Sequence, residues 1–157
     1  MKTIELPDYG VSTIVDDCDY DFVCSYALTL SGGGKRRYVY AYCAGMKDPV
    51  PIHRLIAARI GLDVSDDIDH RNQNKLDNRR SNLRPATRTQ NFANRGKYRN
   101  NKSGFKNVFW SKQKQKWQGK VAKDRRQYHA GFHETPEEAY AACQKKAAEL
   151  FGEFAST

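Results

Sequence analysis

The stretch from Thr135 to Gly152 constrains the fold of this 157-residue chain more than any other. Thr135 offers an N-cap hydroxyl, Pro136 suits the first helical position, and Glu138 completes a capping box. Ala139, Ala142, Cys143, Ala147 and Leu150 then recur at helical spacing until Gly152 ends the element. A helix with one apolar stripe has to bury it on something. Three β-rich runs precede it, Phe105 to Trp110, Trp117 to Ala122 and Gln127 to Phe132, with turns at Lys112-Gln113-Lys114-Gln115 and Lys123-Asp124-Arg125. The expectation is a small three-stranded antiparallel sheet packed on one helix.

Upstream, residues 1–50 read as a β-rich region. Val11 to Val15 and Arg37 to Cys43 carry strand-forming residues, and Ser31-Gly32-Gly33-Gly34-Lys35 reads as a turn. Asp16-Asp17-Cys18-Asp19-Tyr20-Asp21 lacks the Gly and terminal Glu of a calcium loop, so it reads as a solvated acidic turn. Ile52, Leu55, Ile56 and Ile60 have helical spacing closed by Gly61, and a second short helix is expected behind the capping box Thr87-Arg88-Thr89-Gln90. Gly96 to Lys102 is basic and Asn-rich without periodicity, and is read as a linker. The length suits one ordinary domain or two small ones. The expected divisions are a β-rich region over 1–50, a central module over 51–95, the linker over 96–102 and the sheet-and-helix domain over 103–157.

Cys18, Cys24, Cys43 and Cys143 show no C-x-x-C pair, so neither a disulfide framework nor a zinc knuckle is indicated; reduced, mostly buried cysteines are expected. No apolar run is long enough to span a bilayer, and no signal peptide is visible at Met1-Lys2-Thr3, so the expected location is the cytosol.

Charge is segregated. Residues 1–50 hold five Lys/Arg and seven Asp/Glu, whereas residues 51–157 hold 22 and 11. Between Arg95 and Arg126 lie 12 basic residues and one acid, Asp124. Such a stripe neutralises phosphates and releases their counterions. A membrane surface would call for a basic amphipathic helix, which this Gly-containing, strand-rich stretch does not form. Nucleic acid is the expected partner.

The centre of the chain is chemically loaded: Asp69-His70, Asp77-Asn78-Arg79-Arg80-Ser81-Asn82-Leu83-Arg84, and Gln90-Asn91. Phosphodiester hydrolysis needs a base for the attacking water and positive charge at the phosphoryl oxygens. A neutral imidazole, His70, supplies the first. A hard divalent cation on oxygen ligands supplies the second, and Asp69 and Asn91 are such ligands. If a strand ends at Asp69-His70, the two side chains point to opposite faces.

Taken together, Ile52-His53-Arg54, Ile68-Asp69-His70, Leu76 to Arg84 and Thr89-Gln90-Asn91 resemble the HNH endonucleases, in particular the subgroup among phage and intron-encoded homing endonucleases. The resemblance covers about residues 50–95. It implies an α+β chain with a ββα-metal nuclease module, one Mg²⁺ (or Mn²⁺) ion, His70 as general base, Asp69 and Asn91 as metal ligands, and Asn82 as a loop brace that helps orient the base. His53 is expected to pack or to touch phosphate rather than to ligate. Arg79, Arg80 and Arg84 are candidates for the DNA backbone.

Residues 103–155 in turn resemble the APETALA-type, ethylene-response-factor DNA-binding domain, through Ser103-Gly104-Phe105 to Trp110, Lys116-Trp117, Ala130-Gly131-Phe132, Thr135 to Ala139 and Leu150 to Ala155. That family's sheet enters the major groove. Lys106 matches a basic contact position, while the base-reading positions fall on Phe109, Ala122, Gln127 and His129. Candidates for DNA contact are Lys106, Trp110, Lys112, Lys114, Lys116, Lys120, Arg125 and Arg126. The function implied is a homing-type endonuclease on double-stranded DNA, acting as a monomer or as a dimer on DNA, in the cytoplasm of an infected bacterium if phage-encoded. The alternative is a non-catalytic, sequence-specific DNA-binding protein.

Overall fold

Alternating burial in the first strands sets up a hairpin. β1 (Lys2–Leu6) and β2 (Val11–Val15) pair antiparallel with Lys2 opposite Val15, and Ile4, Leu6, Thr13 and Val15 point inward. The computed structural model describes residues 1–32, 37–97 and 100–155, which form two compact units, Met1–Ala86 and Thr87–Thr157. Most of the Ser31 to Lys35 turn, and Tyr98 and Arg99 of the expected linker, lie outside the described residues.

In the first unit, α1 (Asp17–Cys24) follows the hairpin, and β3 (Ala27–Ser31), β4 (Tyr38–Tyr42) and β5 (Val50–Pro51) form an antiparallel sheet in that order. Next come α2 (Ile52–Arg59) and the antiparallel pair β6 (Asp67–His70) and β7 (Leu83–Ala86), with Asp69 opposite Arg84 and His70 opposite Leu83. One apolar core joins these elements, including Leu6, Val15, Val23, Val39, Ile52, Ile56, Ile68 and Leu83.

Two expectations are corrected here. Asp16 to Asp21 is not a solvated turn: Asp17 onward is helical, and Asp19 is fully buried. Acids suit the first turn of a helix, and Arg80 reaches Asp19 from 61 residues away with Nε and Nη2 at 2.7 and 2.8 Å. The cysteines are not mostly buried either. Cys143 is buried and Cys43 half-buried, but Cys18 and Cys24 are exposed on α1.

The second unit begins with α3 (Arg88–Ala93), whose capping box is formed by Thr87 and Gln90. β8 (Val108–Ser111), β9 (Lys116–Lys123) and β10 (Arg126–His133) make an antiparallel sheet with β9 central, and α4 (Pro136–Phe151) packs on one face behind its own capping box. The first strand starts later than the composition indicates, because Asn107 takes a left-handed backbone, φ 65°, ahead of Val108. Close packing of helix on sheet needs Gly119, where a Cβ would lie 2.7 Å from Cys143 Sγ and 3.2 Å from the Ala139 carbonyl. No helix among the described residues is long and apolar enough to cross a membrane.

Candidate active site and nucleic-acid face

β6 ends at His70, and strand alternation sends its last two side chains to opposite faces. On one face Asp69, 1 % exposed, accepts from Arg84 Nε and Nη2 at 3.0 and 2.9 Å on Oδ2. Arg84 is itself buried. On the other face the His70 ring is fully buried, with Nε2 3.1 Å from Asn78 Oδ1. The His53 ring stands 5.0 Å from it edge-on, and Tyr38 lies against both imidazoles at 5.3 and 6.2 Å.

Burial governs the charge of this pair. Desolvation, with a smaller push from Lys75, lowers His70 from 6.5 to about 4. Desolvation again, then His70, Lys75 and Arg54, lowers His53 to about 3. Both rings are neutral at physiological pH.

The loop after β6 is braced by Asn82. Its Oδ1 accepts from the Asn72 backbone at 3.0 Å, and its Nδ2 donates to the Asp77 carbonyl at 2.7 Å. Asp77 is gripped by Arg79 through Nε and Nη2 at 2.7 and 2.6 Å, which holds its carboxyl below the usual range. The same loop lines an open cleft of about 540 Å³ with Val11, Arg37, Asn72, Gln73, Asn74, Lys75 and Leu76.

The three central arginines therefore all hold carboxylates: Arg79 holds Asp77, Arg80 holds Asp19 and Arg84 holds Asp69. Arg79 and Arg80 keep about a third of their side-chain surface exposed, 35 and 37 %, against 5 % for Arg84. Asn91 lies half-buried on α3 in the second unit, in the turn whose backbone N–H donates to the Thr87 carbonyl at 2.9 Å.

Among the described residues no group of three or more His, Cys, Asp or Glu side chains is arranged to hold a metal. The donors that the sequence points to, a carboxylate and an amide oxygen, fit a hard cation that keeps most of its waters. They do not fit zinc, which favours sulfur and nitrogen donors.

In the second unit the basic candidates divide. Lys106 is largely desolvated, its amine donates to the Ala93 carbonyl at the end of α3, and burial lowers it to about 8. Lys112 and Lys114 are exposed in the β8–β9 turn, and Arg125 and Arg126 are exposed where β9 turns into β10. Lys116 and Lys120 are half-buried on the sheet face away from α4, and Lys116 is 2.6 Å from Glu134. Trp110 is 45 % exposed and meets Trp117 edge-on at 5.2 Å.

The outer sheet face also holds residues that composition does not single out. Phe109, Gln118 and Phe132 form one cross-strand row, and His129 Nδ1 is 3.1 Å from Gln118 Nε2. Phe109 and Phe132 are 54 and 42 % exposed. Alternation with the buried Val108 and Val121 is the available signal. The pairing of Thr13 with Asn78, beside His70, carries no comparable signal, since the two lie 65 residues apart.

Comparison with known proteins bears on one stretch of the chain. Residues 50–93 match the model of the HNH endonuclease family. The matched stretch holds α2, β6, β7 and α3, and with them Asp69, His70, Asn82 and Asn91. The similarity supports an HNH nuclease acting on DNA. Neither the comparison with curated proteins nor that with solved structures returns a match.

Proposed function

We propose that the chain is a divalent-metal-dependent DNA endonuclease of the homing type, with His70 as general base. The observation that carries the reading is the neutral His70 at the end of β6, inside the stretch similar to HNH endonucleases. The base takes a proton from water at Nδ1 as the water oxygen bonds to phosphorus and the P–O3′ bond breaks; the leaving O3′ takes a proton from solvent water, giving 5′-phosphate and 3′-hydroxyl. Asp69 and Asn91 are the residues that would hold Mg²⁺ or Mn²⁺. The ion, when bound, supplies positive charge to the phosphoryl oxygens. Arg84 orients Asp69, and Asn82 keeps the loop beside His70 in place. The reading requires that substrate binding uncover the ring, which is fully buried here.

The second unit is read as an APETALA-type DNA-docking domain. Lys112 and Lys114 supply exposed charge at one end of the sheet and Arg125 at the opposite end, with Lys116 and Lys120 on its outer face. A second reading, a DNA-binding protein without nuclease activity, is favoured by one observation: His70 is fully buried and Asp69 is engaged by Arg84.

Incubation with supercoiled DNA, in Mg²⁺ or in EDTA, separates the two. Metal-dependent nicking or linearisation is expected, and His70→Ala should slow it about 10²–10⁴-fold, the usual contribution of a positioned base, with DNA retention unchanged. Bound but uncut DNA, on genomic DNA as well as plasmid, would establish the second reading.

A further inference from the structure

We infer that Thr13 and Asn78 set the tautomer of neutral His70, placing its hydrogen on Nε2 and its lone pair on Nδ1. The chain of hydrogen bonds starts 57 positions upstream of the histidine, in a strand outside the stretch that matches the nuclease family. Thr13 Oγ1 donates its one hydrogen to the Leu76 carbonyl at 2.8 Å. Toward its other neighbour that hydroxyl is therefore an acceptor. Asn78 presents Nδ2 to it, also at 2.8 Å. The amide is thereby oriented, and Asn78 turns Oδ1 toward His70 Nε2, 3.1 Å away. An amide oxygen accepts only, so Nε2 carries the hydrogen, and a neutral imidazole has just one.

The reverse arrangement turns the amide over. It then places the Thr13 hydrogen on Asn78 Oδ1 and withdraws it from the Leu76 carbonyl. The backbone disfavours any shift that would ease this exchange. Ile14 N donates to the Leu76 carbonyl and Asn78 N to the Ile14 carbonyl, both at 2.8 Å, and Ile14 and Asp77 form a parallel bridge. Thr13, Asn78 and His70 are 0, 1 and 0 % exposed, so water does not compete for any of these hydrogens.

Thr13 and Asn78 are thus positioning residues, acting through His70. Their catalytic consequence rests on the reading of His70 as base, whereas the tautomer does not. Residues 1–15 accordingly belong to the site rather than to a separate module.

The test is ¹H–¹⁵N NMR of the His70 imidazole in the full-length protein at neutral pH, without DNA or metal. The expected pattern is the Nε2–H tautomer in the wild type and in Thr13→Ser. In Thr13→Val, where Asn78 loses its oriented partner, a tautomer mixture is expected, with kcat for DNA cleavage down about tenfold and KM unchanged. A wild-type ring carrying its hydrogen on Nδ1, or a Thr13→Val pattern identical to wild type, would overturn the inference. The wild-type spectrum decides even if Thr13→Val does not fold. The expected spectra without DNA cleavage by the wild type would uphold the tautomer assignment and remove the nuclease reading.

Discussion

The two units differ in what they bury. Among the described residues, Thr13, Asp19, His53, Asp69, His70, Asp77, Asn78, Asn82 and Arg84 are interior in the first unit, whereas Asn94 is the only buried polar residue in the second. The second keeps a plain apolar interior of Val108, Val121, Ala139, Cys143, Ala147, Phe151 and Phe154, and carries its charge outside. Buried polar groups are costly unless each finds a partner, so the first unit's interior is a web of mutual obligations. The exposed lysines of the second unit, Lys112 and Lys114 among them, are surface groups that can change with little effect on the fold, unlike the desolvated Lys106. One region is built to hold chemistry in place, and the other to present charge.

That contrast is broken most severely at Arg84. Arg84→Ala removes both hydrogen bonds that this guanidinium gives to the buried Asp69 carboxylate, and should lower stability by about 3–5 kcal/mol, the usual cost of halving a buried pair. Chemical denaturation measures it, and a loss below about 1 kcal/mol would mean that water reaches Asp69 freely.

Acid should expose the same asymmetry. Both buried rings have folded-state values, about 4 and about 3, below that of the unfolded chain. Below about pH 6.5 the unfolded state takes up protons that the folded state refuses, so the stability contributed by keeping the rings neutral is complete above that pH and lost as pH falls toward the folded values. Between about pH 7 and pH 5 the loss should be about 4 kcal/mol. His53→Phe should remove about half of it. A flat stability profile over that range would show that the rings are not desolvated.

In the second unit the sensitive position is steric. Gly119→Ala places a methyl against Cys143 Sγ and the Ala139 carbonyl, and should cost about 1–3 kcal/mol, with relief from a companion Cys143→Ala. No relief would indicate that the backbone carbonyl, not the thiol, sets the limit.

The smallest stability effect belongs to the exposed turn. Lys112→Ala and Lys114→Ala should leave the melting transition within about 0.5 kcal/mol of wild type. Each of these lysines that neutralises a phosphate should account for about 1 in the salt slope of DNA binding, so its replacement should flatten the slope by that amount. An unchanged slope would remove the turn from the docking surface.

Legibility in the sequence follows the range of the interaction. Both capping boxes, Thr87 with Gln90 and Thr135 with Glu138, are readable because the partners lie three residues apart. The β2 and β4 segments are readable from their strand-forming residues, and α2 from the helical spacing of its apolar ones. Asp19 is not, because nothing local distinguishes a buried carboxylate from a solvated one; its partner Arg80 lies beyond five intervening strands and helices. The exposed cysteines of α1 escape a sequence reading for the same reason. In the candidate site, Asp69, His70, Asn82 and Asn91 are visible as an ordered set of residue types. The Thr13–Asn78 pair is not: Asn78 lies in the run Asp77 to Arg84, but Thr13 is 65 residues away and nothing local marks it as the partner.

By itself, then, the sequence determined the local elements, the segregation of charge and the types of chemical group available near His70. These follow from propensity, alternation and composition, which act over a few residues. Tertiary structure alone decided which carboxylate each arginine holds, which face of the sheet is bare, and which nitrogen of His70 carries its hydrogen. Each of those depends on desolvation and on hydrogen bonds between positions tens of residues apart, quantities that exist only once the chain has folded.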